Sequence, residues 1–231
     1  MIELYSGTPG SGKSLHLARK VRDSLKFNCP VIGTFHINEK CLYRRSKYPY
    51  TYMNIYDLTP DKILEYAEKN KKYKKPKVEN SFLLVIDECQ RILNSREWQT
   101  NKDRQKWLTF FAEHRHFGFN IILVAQMDIM IDRQVRGCIE YNYIHRKVDN
   151  FGLAGYLLKP FVGNFCVIKT WYLVKGTNLG SEFIRGNKKL YGFYDTFEDF
   201  QAVGRGEVQE SCPDDGEKFL EKLQSIDKVT L

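Results

Sequence analysis

The chain has 231 residues, 42% of them hydrophobic and 14% aromatic, which argues against wholesale disorder and fits one large domain or one domain with a small appendage. Its formal net charge of +8 admits nucleic acid, acidic lipid headgroups or polyphosphate as partners but selects none, and a lysine-rich soluble surface accounts for it equally well. The six cysteines contain no Cys-x-x-Cys pair, so buried free thiols in a reducing compartment are expected rather than a disulfide framework or a zinc site.

Ile2 to Ser6 reads as a short buried strand that runs into a glycine-rich loop, Gly7 to Ser14. Glu3 and this loop interrupt any signal-peptide core. Lys13 to Lys26 reads as a helix, with Leu15, Ala18, Val21 and Leu25 near helical spacing. Pro30 to Phe35 reads as a second strand and Tyr52 to Tyr56 as a further candidate. Thr59-Pro60-Asp61 is a helix start, followed by a lysine-rich loop over 69–77. Phe82 to Ile86 is apolar throughout, as expected of a parallel strand covered on both faces. Asp103 to His116 reads as a helix ended by Gly118, Ile121 to Ala125 as another buried strand, and 129–137 as a short helix.

Beyond residue 138 the pattern mixes polar and apolar residues. Ile139 to Val148, Phe165 to Val174 and Leu190 to Tyr194 are expected as strands of an antiparallel extension with one wet face. Lys159, Pro160, Asn164 and Lys169 divide the most apolar long region, 151–174, so no membrane-spanning helix is expected. Residues 1–197 are read as one domain, and 198–231 as a polar linker with a short amphipathic helix over 217–226.

The loop Gly7-Thr8-Pro9-Gly10-Ser11-Gly12-Lys13-Ser14 fits the Walker A pattern, with a strand before it and a helix after it. Glycines let consecutive backbone N–H groups turn inward around a phosphate, and the following helix points its positive end at the same anion. Lys13 is placed to reach the β and γ phosphates, and the Ser14 hydroxyl to ligate Mg2+. Asp87, at the end of the apolar strand, is the candidate Walker B carboxylate for the same Mg2+, and Glu88 the candidate base for a water. Gln126, after Ile121 to Ala125, is the candidate sensor of the γ phosphate, since a polar side chain leaving a buried strand needs a partner. Asp-Glu on one strand and Gln on the next predict an α/β fold of the additional-strand (RecA-like) P-loop class, a mostly parallel sheet flanked by helices. The Gln strand then lies between the P-loop strand and the Asp strand.

Gly7 to Ser14, Val85-Ile-Asp-Glu88 and above all His114-Arg-His-Phe-Gly118-Phe-Asn-Ile-Ile-Leu-Val-Ala-Gln126 resemble the ATPase domain of the zonula occludens toxin (Zot) family. Leu190-Tyr-Gly-Phe-Tyr-Asp195-Thr resembles that family's end-of-domain motif, so the likeness covers roughly 1–197. The family includes the filamentous-phage assembly protein and is related to FtsK/HerA translocases. The resemblance implies ATP as the nucleotide and a homo-oligomeric ring, a hexamer being one such form. It also implies a place at the cytoplasmic face of the host inner membrane, where ATP would power extrusion of phage DNA, with single-stranded DNA and other phage assembly or membrane proteins as partners. Longer members continue into a membrane helix, which this chain is not expected to carry.

In such rings an arginine from one subunit completes the next subunit's site; Arg136 is the favoured candidate, ahead of Arg115, Arg133 and Arg146. His114 and His116 lie two apart on a helix and face apart, which argues against a metal pair. Arg44-Arg45, the 69–77 lysines and the nearby tyrosines, Tyr43, Tyr48, Tyr50 and Tyr52, are candidates for DNA phosphate and base stacking or equally for acidic lipid, and a plain solvated loop accounts for the lysines as well. Two other function classes stay open: a P-loop phosphotransferase, against which Glu88 argues, and a nucleotide-dependent scaffold that hydrolyses slowly.

Overall fold

The computed structural model describes residues 1–38, 50–70, 80–96, 98, 102–174 and 177–194. Lysines 71–77, Arg44-Arg45 with Tyr43 and Tyr48, Asp195-Thr196, and the linker and helix expected over 201–226 lie outside the described residues.

The chain order is β1 (Ile2–Ser6), α1 (Lys13–Lys26), β2 (Val31–Gly33), β3 (Tyr50–Tyr52), α2 (Pro60–Asn70), β4 (Phe82–Ile86), α3 (Arg104–Glu113), β5 (Phe119–Val124), α4 (Arg133–Arg136) and β6 (Tyr141–Lys147). It continues through α5 (Gly152–Val162), β7 (Phe165–Trp171), β8 (Asn178–Ile184) and α6 (Lys188–Tyr191). The strands form one sheet in the order β3-β2-β4-β5-β1-β6-β7-β8. β3 through β6 in that order are parallel, and β7 and β8 are antiparallel additions.

β1 and β4 are buried at every residue, and β5 at all but Asn120. Because successive strand residues face opposite ways, the apolar runs feed two cores. Ile2, Leu4, Leu84, Ile86, Ile121 and Leu123 pack with Ile63 of α2 and with Trp107, Phe110 and Phe111 of α3. Tyr5, Leu83, Val85, Ile122 and Val124 pack with Leu15, Leu17, Ala18, Val21 and Leu25 of α1. Helices thus cover both faces of the strands that the site stands on, and the predicted place of β5 between β1 and β4 is observed.

Four expectations change. β6 pairs parallel with β1, so the antiparallel extension starts one strand later, at β7. Residues 152–162 form α5 despite Pro160, with Arg185 Nη2 donating to the Pro160 and Phe161 carbonyls at 2.8 and 3.3 Å. The exposed β8 joins the far edge, where the sequence had no apolar pattern to show it.

Leu190 to Tyr194 is not a strand. The Asn187 carbonyl accepts the N–H groups of Leu190 and Tyr191 at 2.9 and 3.0 Å, which coils the segment into α6. Leu190 and Phe193, three apart, then face one core together, as a helical turn allows and strand alternation does not. Smaller shifts follow from local caps: Asn54 Oδ1 accepts the Tyr56 N–H at 3.0 Å, turning 55–57 into a 3-10 turn where a strand was expected. Among the described residues no helix is long and apolar enough to cross a membrane.

Candidate nucleotide-phosphate site

The glycine-rich loop joins β1 to α1 and is tied to the end of β5 by the Gly7 N–H, which donates to the Gln126 carbonyl at 3.2 Å. Gly12 stands in the left-handed region (φ 97°) directly before α1, and a Cβ there would meet the Phe165 ring at 2.6 Å. A Cβ on Gly7 would meet the His145 carbonyl at 2.5 Å. Only glycine fits both positions. The first turn of α1 carries no acidic residue and no side-chain cap, so its free N–H groups and positive end remain for an anion. Ser11 Oγ is buried with no hydrogen-bond partner, an orphan inside the loop.

Lys13 Nζ donates to the Gly7 and Thr8 carbonyls at 2.6 and 3.1 Å. Burial lowers its pKa below the usual lysine range, and the Asp87 and Glu88 carboxylates nearby oppose that shift. The parallel register brings these groups together: Tyr5 lies opposite Val124, and Leu123 opposite Ile86, so β1, β5 and β4 end side by side. Two strand spacings, roughly 10 Å, then separate the loop end of β1 from the acidic end of β4.

Asp87 is fixed at backbone and side chain. Its N–H donates to Thr34 Oγ1 at 2.8 Å, its Oδ1 accepts the Glu88 N–H at 2.9 Å, and its Oδ2 accepts the Tyr194 hydroxyl. Burial raises its pKa, while the Tyr194 and Glu88 bonds pull the other way. Glu88 adopts a left-handed backbone (φ 47°), a conformation that only surrounding structure maintains in a non-glycine residue and that recurs at functional sites. Its half-exposed carboxylate pairs with Arg91. The donor set fits Mg2+: a carboxylate at a strand end and the half-buried Ser14 hydroxyl in the first turn of α1.

Other predicted groups stand differently. Gln126 is exposed, so the burial argument made for its side chain fails, and its backbone makes the contact with the loop instead. Arg136 lies toward the opposite end of β1: its carbonyl accepts the Ile139 N–H, and the next residue, Glu140, pairs with Ile2. Arg136 borders Tyr172 there and does not join its own chain's site. Arg115 is taken by Glu140 at 3.0 Å, and Arg133 and Arg146 are exposed. His114 is structural, bonding the Phe111 carbonyl at 2.7 Å and the Met1 amino group at 2.8 Å. Tyr50 donates to the Phe35 carbonyl, and Tyr52 stacks on His36 at 3.9 Å.

The sequence reading missed three groups. Lys147 Nζ hangs over the loop, 3.3 Å from where a Gly10 Cβ would be. His16 and His145 lie behind it, Nδ1 to Nε2 at 3.0 Å, with His145 Nδ1 at 3.1 Å from the Ser6 carbonyl. Tyr194 reaches Asp87 across 107 positions. Only the pairing of β6 with β1 and the docking of the 190–194 segment create these contacts, so no local signal announced them. A cavity of about 220 Å³ opens beside the loop, walled by Gly10, Lys13, Ser14, Phe165, Tyr191 and Tyr194.

The profile of the zonular occludens toxin (Zot) family matches residues 1–194. The chain belongs to the Zot family. It is 28% identical over 168 residues to the Gene 1 protein of Enterobacteria phage f1, covering 70% of this chain and 45% of that protein. The chain thus spans about half the length of this curated relative. Among solved structures, the N-terminal domain of zonular occludens toxin from Neisseria meningitidis superposes with a TM-score of 0.52 at 19% identity, over 84% of this chain and 98% of that one. The DNA-packaging ATPase from Sulfolobus Turreted Icosahedral Virus superposes with a TM-score of 0.51 at 16% identity, over 80% and 98%. At these identities the structural likeness shows the fold, a P-loop NTPase sheet, which this Zot-family chain shares.

Proposed function

We propose that this chain binds ATP with Mg2+ and hydrolyses it to drive filamentous-phage assembly, extruding phage DNA at the cytoplasmic face of the host inner membrane. The observation that carries this is the convergence of a glycine cradle and Lys13 after β1 with the Asp87-Glu88 pair after β4, at parallel strand ends on either side of β5. Family membership and the likeness to phage Gene 1 protein support the assembly role. The genome packaging NTPase B204 from Sulfolobus turreted icosahedral virus 2, a protein of similar fold at 14% identity, was solved in complex with AMPPCP, which supports nucleotide as the ligand.

The loop N–H groups and the start of α1 hold the phosphates, and Lys13 exchanges its loop carbonyls for phosphate oxygens. Ser14 and Asp87 would hold Mg2+, which would supply charge neutralisation on the phosphates. Glu88 orients a water and takes its proton once its carboxylate leaves Arg91. Gln126 keeps the proposed role of γ-phosphate sensor, supported by the backbone bond that ties it to the loop. Arg136, which borders Tyr172 away from its own chain's site, is left as the candidate to complete a neighbouring subunit's site in a ring. The cavity beside the loop is walled by aromatic rings suited to a base or ribose face.

One set of observations favours a second reading, a nucleotide-dependent scaffold with slow hydrolysis. Lys13, Asp87 and Glu88 each have an internal partner that has to yield or share. The binding step is tested with Lys13→Ala and a fluorescent ATP analogue: affinity is expected to fall at least tenfold and hydrolysis by roughly 10²–10³. Unchanged affinity and turnover would overturn the assignment of the loop.

A further inference from the structure

We propose that Tyr194 is a positioning residue for the Asp87 carboxylate, a role that rests on the reading of Asp87 as the metal-side acid of the nucleotide site. A carboxylate at a strand end is free to rotate unless both oxygens are held. Here Oδ1 takes the Glu88 N–H at 2.9 Å and Oδ2 takes the Tyr194 hydroxyl. An ionised carboxylate offers about four lone-pair sites. These two bonds fix its plane and leave the remaining sites for a cation or its water shell.

Tyr194 is itself anchored. Its ring packs on that of Phe35 at 4.6 Å between centroids, and its backbone bridges Ile37. The Asn38 N–H donates to the Phe193 carbonyl at 2.9 Å, and the Phe193 side chain is fully buried. The segment leading from β2 is held at its other side by the same acid, because Thr34 Oγ1 accepts the Asp87 N–H. The 34–38 and 190–194 segments thus form a clasp around the end of β4. Tyr194 also walls the cavity that opens on Lys13 and Ser14. One side chain therefore touches both the acid and the phosphate cavity. This gives a role to the end-of-domain motif, whose other described residues include the buried Leu190 and Phe193 and the cavity-lining Tyr191.

The test titrates a fluorescent ATP analogue against the full chain, with and without Mg2+. Wild type is expected to gain affinity from Mg2+, and Asp87→Asn to lose that gain. Tyr194→Phe keeps the ring on Phe35 and removes only the donor. Measured against the variant's own Mg2+-free affinity, the Mg2+-dependent gain is expected to fall about tenfold. A wild-type gain in Tyr194→Phe would overturn the inference alone. So would a larger gain, which would make the hydroxyl a competitor of the cation, and so would loss of Mg2+-free binding, which would make its role structural. No gain in wild type, or a full gain in Asp87→Asn, would overturn the reading of Asp87 and this inference with it.

Discussion

The centre and the far edge of the sheet are built to opposite rules. β4, β5 and β1 are short, parallel and almost wholly buried, with helices on both faces. β8 is longer, antiparallel and exposed at six of its seven residues, with only Ile184 buried. The groups proposed to act on the nucleotide lie at the ends of these central strands, whose parallel register brings them side by side. The edge carries exposed Leu179 and Phe183, and next to it the turn after β7 carries Leu173 and Val174. A sheet edge with unpaired backbone groups and scattered apolar side chains is a place for contacts with other chains.

Substitution breaks or sharpens this contrast. Leu123→Ala on β5 removes a fully buried side chain between two occupied strands and is expected to destabilise the fold by about 2–5 kcal/mol in chemical denaturation. Leu179→Ala on β8 is expected to stay within about 0.5 kcal/mol. Equal effects would erase the distinction between centre and edge.

A smaller effect comes from acid. Burial pushes the His16 pKa down to about 3, with His145, Lys20 and Arg19 adding to it. Burial likewise pushes His145 down to about 4, partly offset by the Ser6 carbonyl. Both imidazoles are therefore neutral in the fold, while the unfolded chain takes up protons near pH 6.5. Their contribution to stability is complete above that value and is lost as pH falls toward 4 and then 3. His145→Gln is expected to flatten the melting-temperature profile over this window; an unchanged slope would remove the pair from the account.

The same contrast explains what was legible. β1, β4 and β5 were readable because strands buried on both faces are unbroken apolar runs, and the phosphate loop because its chemistry is contiguous from Gly7 to Ser14. Asp87 and Glu88 followed from their place at the end of such a run. β8 was not readable, since a strand with a wet surface needs no apolar pattern. α5 was hidden by Gly152 and Pro160, two helix breakers, in a helix whose last turn Arg185 caps by donating to the Pro160 and Phe161 carbonyls. Leu190 to Tyr194 misled because a short apolar run fits a strand or a turn of helix equally. The clasp on Asp87 and the histidine pair depend on residues more than a hundred positions apart, and no spacing in the sequence encodes them.

On the proposed function, water is the acceptor and assembly completes the site. ATP hydrolysis per subunit, measured as protein concentration rises and with no acceptor added, tests it in the wild type and in Glu88→Gln. The account predicts a rate per subunit that climbs with concentration and falls by roughly 10²–10⁴ in the variant. A flat, near-zero rate in both would contradict it and favour the nucleotide-dependent scaffold.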